Sequence, residues 1–173
     1  MGDGVLSRMH LAQLNVAHLR APIDSPQLAE FVDLLEPVNA VADQAPGFVW
    51  RLKESESDPT ATVQHDYGDL LLINFSVWES LETLWDYAYR SVHLGVLRRR
   101  REWFLRVAEP YSVMWWIQEG HTPSLAEGMR RLERLRSEGP SPEAFTFKDR
   151  YDSSDGYESS EAASRPAAAE ARK

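Results

Sequence analysis

Residues 70–104, LLLINFSVWESLETLWDYAYRSVHLGVLRRRREWF, change hydrophobic period once, and that change limits what the chain can build. Leu71, Ile73, Phe75 and Val77 alternate with Leu72, Asn74, Ser76 and Trp78, so the two sets lie on opposite faces of a strand. The first face is wholly apolar and is expected beneath helices. The second is mixed, with its polar groups toward the C-terminal end. From Ser80 the period becomes helical. Leu81, Leu84, Ala88 and Val92 form one apolar stripe that continues to Val96, and Trp85, Tyr89 and His93 form a second stripe beside it. Ser80 is a natural N-cap, and Glu79 and Glu82 put negative charge at the positive end of the helix dipole. The spacing predicts one long helix that Glu109-Pro110 ends. Arg98 to Arg101 occupy a full turn of it. Most of that run suits the cationic C-terminal end of a helix, and one or two of the four can turn inward to a carboxylate or an acidic ligand.

The remainder supplies three more strands and two more helices. His10–Leu19 alternates as a strand, with Leu11, Gln13, Asn15 and Ala17 on one face and Ala12, Leu14, Val16 and His18 on the other. Ser25-Pro26 reads as a cap followed by a first-turn proline. Leu28, Phe31, Val32, Leu35 and Val38 then recur at helical spacing, with a kink or break expected at Pro37 and a second short helix over Asn39–Gln44. Phe48–Glu54 and Tyr111–Gln118 read as strands, and the polar Ser55–Thr62, between the first of these and the central strand, reads as a hairpin loop. Ser124 caps a last helix carrying Leu125, Met129, Leu132 and Leu135. Glu143–Lys148 reads as a clasp that packs Phe145 and Phe147. Residues 1–9 read as a flexible N-terminus, 10–151 as one domain, and 152–173, rich in Ser, Ala and Glu, as a disordered tail.

Several function classes are excluded by composition. A chain of 173 residues with 43% hydrophobic content supports one domain with a real core. No apolar run approaches the ~20 residues of a membrane span, and the N-terminus lacks a secretion-signal pattern. The absence of cysteine removes disulfides, thiolate catalysis and cysteine metal sites. A net charge of −8 argues against nucleic acid as a partner. These features fit a cytoplasmic protein that meets neither membrane nor nucleic acid. No histidine pair has the i, i+4 spacing of a zinc helix, no glycine-rich loop follows a strand, and no Gly-x-Ser-x-Gly is present, so no metal site is expected.

The order of elements is strand-helix-strand, strand-helix-strand, helix. Two βαβ halves in succession predict an α+β, ferredoxin-like βαββαβ sandwich with an extra C-terminal helix. Helices on one face would leave the other bare, exposing residues such as Leu70, Leu72 and Trp78, and a homodimer that pairs these faces is the simplest cover.

The stretches HLAQLN, NAVADQAPGFVWRL, NFSVWESLETLWDYAYRSVH, LRRRREWF, VMWWIQEGHTPS and GPSPEAFTF, which together span His10 to Phe147, closely resemble an uncharacterised bacterial family whose members carry a domain of unknown function. That family looks like a branch of the dimeric α+β barrel superfamily, which includes antibiotic-biosynthesis monooxygenases, heme-degrading monooxygenases, aldoxime dehydratases, chlorite dismutase-like proteins and stress-responsive barrel proteins. The resemblance implies a dimeric α+β barrel with a pocket between sheet and helix, and it does not fix the chemistry.

Three readings of that pocket follow. In the first, the protein is a small-molecule enzyme of antibiotic-biosynthesis monooxygenase type, a cofactor-free oxygenase or an isomerase or cyclase, acting on an aromatic or polyketide-like substrate. Such a site needs aromatic walls, amide or hydroxyl groups to hold a developing enolate, and a base with a pKa near neutral. His93 suits the base, Asn15 and Asn74 the amides, and Trp85 and Tyr89 the walls. Trp78, Trp116, Ser76 and Arg51 complete the substrate-binding candidates. In the second, the same aromatics serve a non-catalytic barrel that binds a hydrophobic ligand. In the third, the protein binds or degrades heme. The heme-degrading relatives combine an asparagine on the first strand with a tryptophan and a histidine on the second long helix, and Asn15, Trp85 and His93 stand in that order. His93 would then be the heme ligand. The alternation of the first strand turns Leu14 and Val16, not Asn15, toward the helices in this reading.

Overall fold

The computed structural model describes residues 8–53 and 65–155. The expected hairpin loop, most of the N-terminus and the tail beyond 155 lie outside the described residues. The elements are β1 (Met9–His18), α1 (Ala29–Asp43), β2 (Phe48–Arg51), β3 (Leu71–Trp78), α2 (Leu81–Arg90), α3 (His93–Arg99), β4 (Ser112–Gln118) and α4 (Leu125–Glu138). One sheet runs in the order β2-β3-β1-β4 with every neighbouring pair antiparallel. With α1 between β1 and β2, and α2–α3 between β3 and β4, this is a ferredoxin-like βαββαβ sandwich carrying an additional helix. The register sets Leu11 opposite Trp78 and Asn15 opposite Asn74.

Both faces of the sheet are covered, which corrects the expected assignment of faces. The wholly apolar face, formed by Ala12, Leu14, Val16, Phe75, Val77, Val113, Trp115 and Ile117, packs beneath α4 through Leu132 and Leu135. The mixed face, expected to be bare, lies under the other helices, and Trp78 on it is 0% exposed. Only Leu70, just outside the strand, is exposed as anticipated. The open surface that motivated face-to-face pairing is therefore not there. Asn15 and Asn74 consequently point toward α1 and α3, opposite to the orientation that alternation alone suggested.

Gly128 brings α4 down onto this apolar face. A Cβ there would stand 2.6 Å from Leu14 Cδ1 and 3.3 Å from Phe75 Cε1. Trp115 Nε1 donates to Glu127 Oε1 at 3.1 Å, and the Arg131 guanidinium lies 5.8 Å from the centre of the same indole ring. The exposed edge of β4 is closed at one point, where Met114 and Phe145 exchange backbone hydrogen bonds of 2.8 and 2.9 Å. Phe145 is fully buried there, as the clasp reading expected.

The long helix predicted after β3 is two helices. It starts as read, with Ser80 Oγ accepting from Thr83 N–H at 3.2 Å in a reciprocal cap. It stops at Arg90 because Ser91 is extended (φ −111°, ψ −175°) and uses its hydroxyl twice. Ser91 Oγ donates to the Tyr87 carbonyl and accepts from the His93 N–H at 3.2 Å. A serine side chain that bonds local backbone in this way competes with the helical ladder. His93 therefore opens α3, and the stripe Trp85–Tyr89–His93 is broken after Tyr89.

Helix α1 departs from expectation in the other direction. It runs unbroken from Ala29 to Asp43 through Pro37, so no separate helix forms over 39–44. Proline removes a single N–H, and the packing of Phe31, Leu34 and Leu35 continues the helix past it. Pro26 does open the preceding 3₁₀ turn, but the Ser25 side chain makes no capping bond.

Candidate functional site

Between the mixed sheet face and α1, α3 and the segment from Arg100 to Tyr111 lies a cavity of about 360 Å³. Its construction follows from the elements just described. α1 supplies Phe31, Leu34, Leu35 and Val38, one helical stripe, as an apolar wall. Leu72 of β3 and Phe104 extend that wall, and Val96 and Leu97 of α3 close it opposite. Asn15 and Asn74 enter from the sheet, and His93 enters from the first turn of α3. Arg100, Arg101, Arg106 and Tyr111 border the same space. A predominantly apolar hollow with a few convergent polar groups is the usual form of a small-molecule site.

The two asparagines are direct cross-strand partners on the same face. A chain of side-chain hydrogen bonds leads to one of them. Trp78 Nε1 donates to Ser76 Oγ at 2.9 Å, Ser76 Oγ donates to Gln13 Oε1 at 3.4 Å, and Gln13 Nε2 donates to Asn15 Oδ1 at 3.1 Å and Ser112 Oγ at 3.3 Å. With its oxygen taken by Gln13, Asn15 presents its NH₂ as the free end, a hydrogen-bond donor.

His93 is held where α2 ends. Its Nδ1 lies 3.3 Å from the Ala88 carbonyl, one of the acceptors that a helix C-terminus leaves without an internal partner. A carbonyl accepts only, so Nδ1 carries the proton and Nε2 is left as a lone-pair acceptor. The ring packs against Tyr87, centroids 5.0 Å apart. Burial pushes its pKa below the ordinary 6.5, and the Ala88 bond opposes this only in part, so the imidazole is neutral at pH 7. Tyr87 in turn stacks on Trp78 at 5.1 Å, and burial raises its phenol pKa, so it remains a neutral hydroxyl.

The structure thus brings together His93, Asn15 and Asn74, and it places the other candidates elsewhere. Trp85 contacts Tyr89 at 4.3 Å and Phe147 at 5.1 Å, away from the cavity. Trp78 and Ser76 belong to the hydrogen-bonded chain behind the site. Trp116 Nε1 donates to the Tyr151 carbonyl at 2.8 Å, holding the segment that follows the clasp. Arg51 is paired with Asp43 at 2.6 Å, tying β2 to the end of α1. The walls of the cavity are therefore the aliphatic stripe of α1 and the Phe31–Phe104 pair, not the tryptophan stripe. Gln13 was not singled out from sequence, although it shares the alternation of Asn15, and that shared face is the signal that would have found it.

The trio that suggested heme does not converge, since Trp85 is absent from the space shared by Asn15 and His93. Asn15 and His93 therefore share the cavity without the tryptophan that would complete that arrangement. Among the described residues no group of His, Asp or Glu side chains is placed to hold a metal ion, and no helix is long and apolar enough to cross a membrane.

Fold and site together define a small α+β sandwich protein built around a cavity between sheet and helices. The chain belongs to the family described as domain of unknown function (DUF3291), whose profile matches residues 10–162. Among curated proteins none matches the sequence. Among solved structures, SnoaB, a cofactor-independent oxygenase from Streptomyces nogalater, is similar at 15% identity over 65% of this chain and 95% of its own, with a TM-score of 0.43. The NE2512 protein of unknown function from Nitrosomonas europaea is similar at 12% identity over 68% of this chain and 96% of its own, with a TM-score of 0.41.

Proposed function

We propose that this protein is a cofactor-free enzyme that removes a proton from a carbon conjugated with a carbonyl group, directly or through an aromatic ring, in a small aromatic or polyketide-like molecule. The observation that carries the reading is that one cavity is bordered by a neutral imidazole and by two amide side chains facing each other across β1 and β3. His93 Nε2 takes the proton. The amide N–H groups of Asn15 and Asn74 bond the oxygen on which the negative charge collects, and fixed donors aimed at such an oxygen stabilise the transition state more than the ground state. The resulting enolate then reacts with dioxygen or takes its proton back at another carbon. The Nδ1–Ala88 bond holds the ring in the tautomer this role needs and accommodates the imidazolium that forms.

The test uses anthrone, an aromatic ketone with an acidic C–H. In D₂O under nitrogen, the protein is expected to accelerate deuterium entry at that carbon, and in air to accelerate oxygen uptake. His93→Ala is expected to abolish both while retaining the fold by circular dichroism. Exchange no faster than in buffer alone, or a His93→Ala protein as fast as the parent, would overturn the proposal.

A further inference from the structure

We infer that the molecule held in this cavity carries an anionic oxygen group, received by Arg100, Arg101 and Arg106 at the mouth. This deepens the proposed function and rests on the same cavity being the binding site.

The charge distribution is the first reason. The chain has 27 acidic residues against 19 basic ones, a net charge of −8. Yet no aspartate or glutamate lines the cavity, while three arginines do. A cationic pocket on an anionic protein is a local inversion that attracts an anion and orients it.

The second reason is what these arginines are not doing. Arg99, in the same run, is committed elsewhere. Its guanidinium bonds Glu30 and Glu102, each at 2.7 Å, and lies 4.9 Å from the centre of the Trp103 ring, fastening the end of α3 to α1. Glu109 is likewise taken, by Arg136 at 3.1 Å. Among the described residues, Arg100, Arg101 and Arg106 have no ion pair, and Arg100 has only Tyr111, whose hydroxyl it bonds and whose ring lies 5.2 Å away.

The third reason is that their backbone is fixed. Arg20 Nε donates to the Arg101 carbonyl at 2.9 Å, Arg20 N–H to the Trp103 carbonyl at 2.8 Å, and Leu105 N–H to the His18 carbonyl at 2.8 Å. The segment is thereby laid along the end of β1. Guanidinium forks presented from a pinned segment lose less freedom on binding than those on a loose turn, and they match the paired oxygens of a carboxylate or phosphate. The ligand so described has an apolar ring body against Phe31 and Leu35 and an anionic group at the mouth.

Calorimetry with three probes of one ring system tests this: 2-naphthoate, 2-naphthyl phosphate and the uncharged methyl 2-naphthoate. The intact protein is expected to bind at least one of the anions about tenfold or more tighter than the ester, the scale of one charge-assisted hydrogen bond. Alanine at Arg100, Arg101 and Arg106 together is expected to erase that preference and leave ester binding in place. Arg101→Lys with Arg106→Lys should keep part of it, and Arg98→Ala, outside the cavity, all of it. Ester binding equal to both anions, or a preference that survives the triple alanine change, overturns the anionic-group inference while leaving the cavity as the binding site. Failure of all three probes to bind overturns it together with the site reading.

Discussion

Gln13 Nε2 donates to Asn15 Oδ1 at 3.1 Å, and this one bond decides which end of the asparagine amide is free. Gln13 also accepts from Ser76 and donates to Ser112, so its own orientation is fixed from both sides. Gln13 does not line the cavity. In the proposed reaction it would act through Asn15, as a positioning residue.

Replacing Gln13 with leucine keeps the bulk and removes the bond. The Asn15 amide is then free to turn its oxygen toward the cavity, where it would repel an enolate. The expected result with anthrone is a fall in kcat of roughly tenfold, short of the 10²–10³ that follows outright loss of an oxyanion donor, with KM little changed. Gln13→Glu, which can accept from Ser76 but offers Asn15 no N–H, should resemble the leucine variant and not the parent. Steady-state kinetics with both variants checks this, and a change confined to KM would show that Gln13 only shapes the cavity.

His93 gives a prediction about stability and pH. The unfolded chain protonates this imidazole near its ordinary 6.5, whereas the folded ring, its pKa lowered by burial, resists protonation. The unfolded state therefore binds more protons in the window from 6.5 down to the folded pKa. Stability rises with pH through that window and is lost as pH falls through it. His93→Gln has no such proton to take up. The difference in thermal midpoint between parent and His93→Gln should therefore be largest at pH 8 and shrink as pH falls below 6.5. A difference that is constant between pH 8 and 5 would show that His93 titrates normally in the fold.

Much of the fold was legible because its signals are local and strong. The four strands, the Ser80 and Ser124 caps and the apolar stripe of α4 are found where period and capping residues put them, except that β2, expected over Phe48–Glu54, ends at Arg51. The break at Ser91 was not legible, since serine within a helical pattern is usually a bystander and only its bonds to the Tyr87 carbonyl and the His93 N–H reveal the stop. The choice of faces was not legible either. Alternation separates Asn15 from Leu14 without saying which side the last helix will cover, and that depends on Gly128 meeting Leu14 and Phe75 far away in sequence. The asparagines and His93 come together because of that choice, and Trp85 and Tyr89 part from His93 because of the break.

The close approach at Gly128 is itself open to test. A methyl group there would meet Leu14 Cδ1 at 2.6 Å and the Phe75 ring at 3.3–3.4 Å. Leu14 and Phe75 are fully buried in the same cluster, so neither can step aside without disturbing Trp115 or Leu132. Alanine improves helix propensity by up to about 1 kcal/mol, while overpacking a dense core costs about 1–3 kcal/mol. Gly128→Ala should therefore destabilise the protein by roughly 1 kcal/mol net, and Gly128→Val, with more bulk and poorer propensity, by more. Because α4 lies on the face opposite the cavity, binding of 2-naphthoate to the folded fraction should be unchanged in Gly128→Ala. Urea unfolding gives the first quantity and calorimetry the second. A Gly128→Ala protein more stable than the parent would mean that α4 does not press on the sheet as closely as the distances indicate.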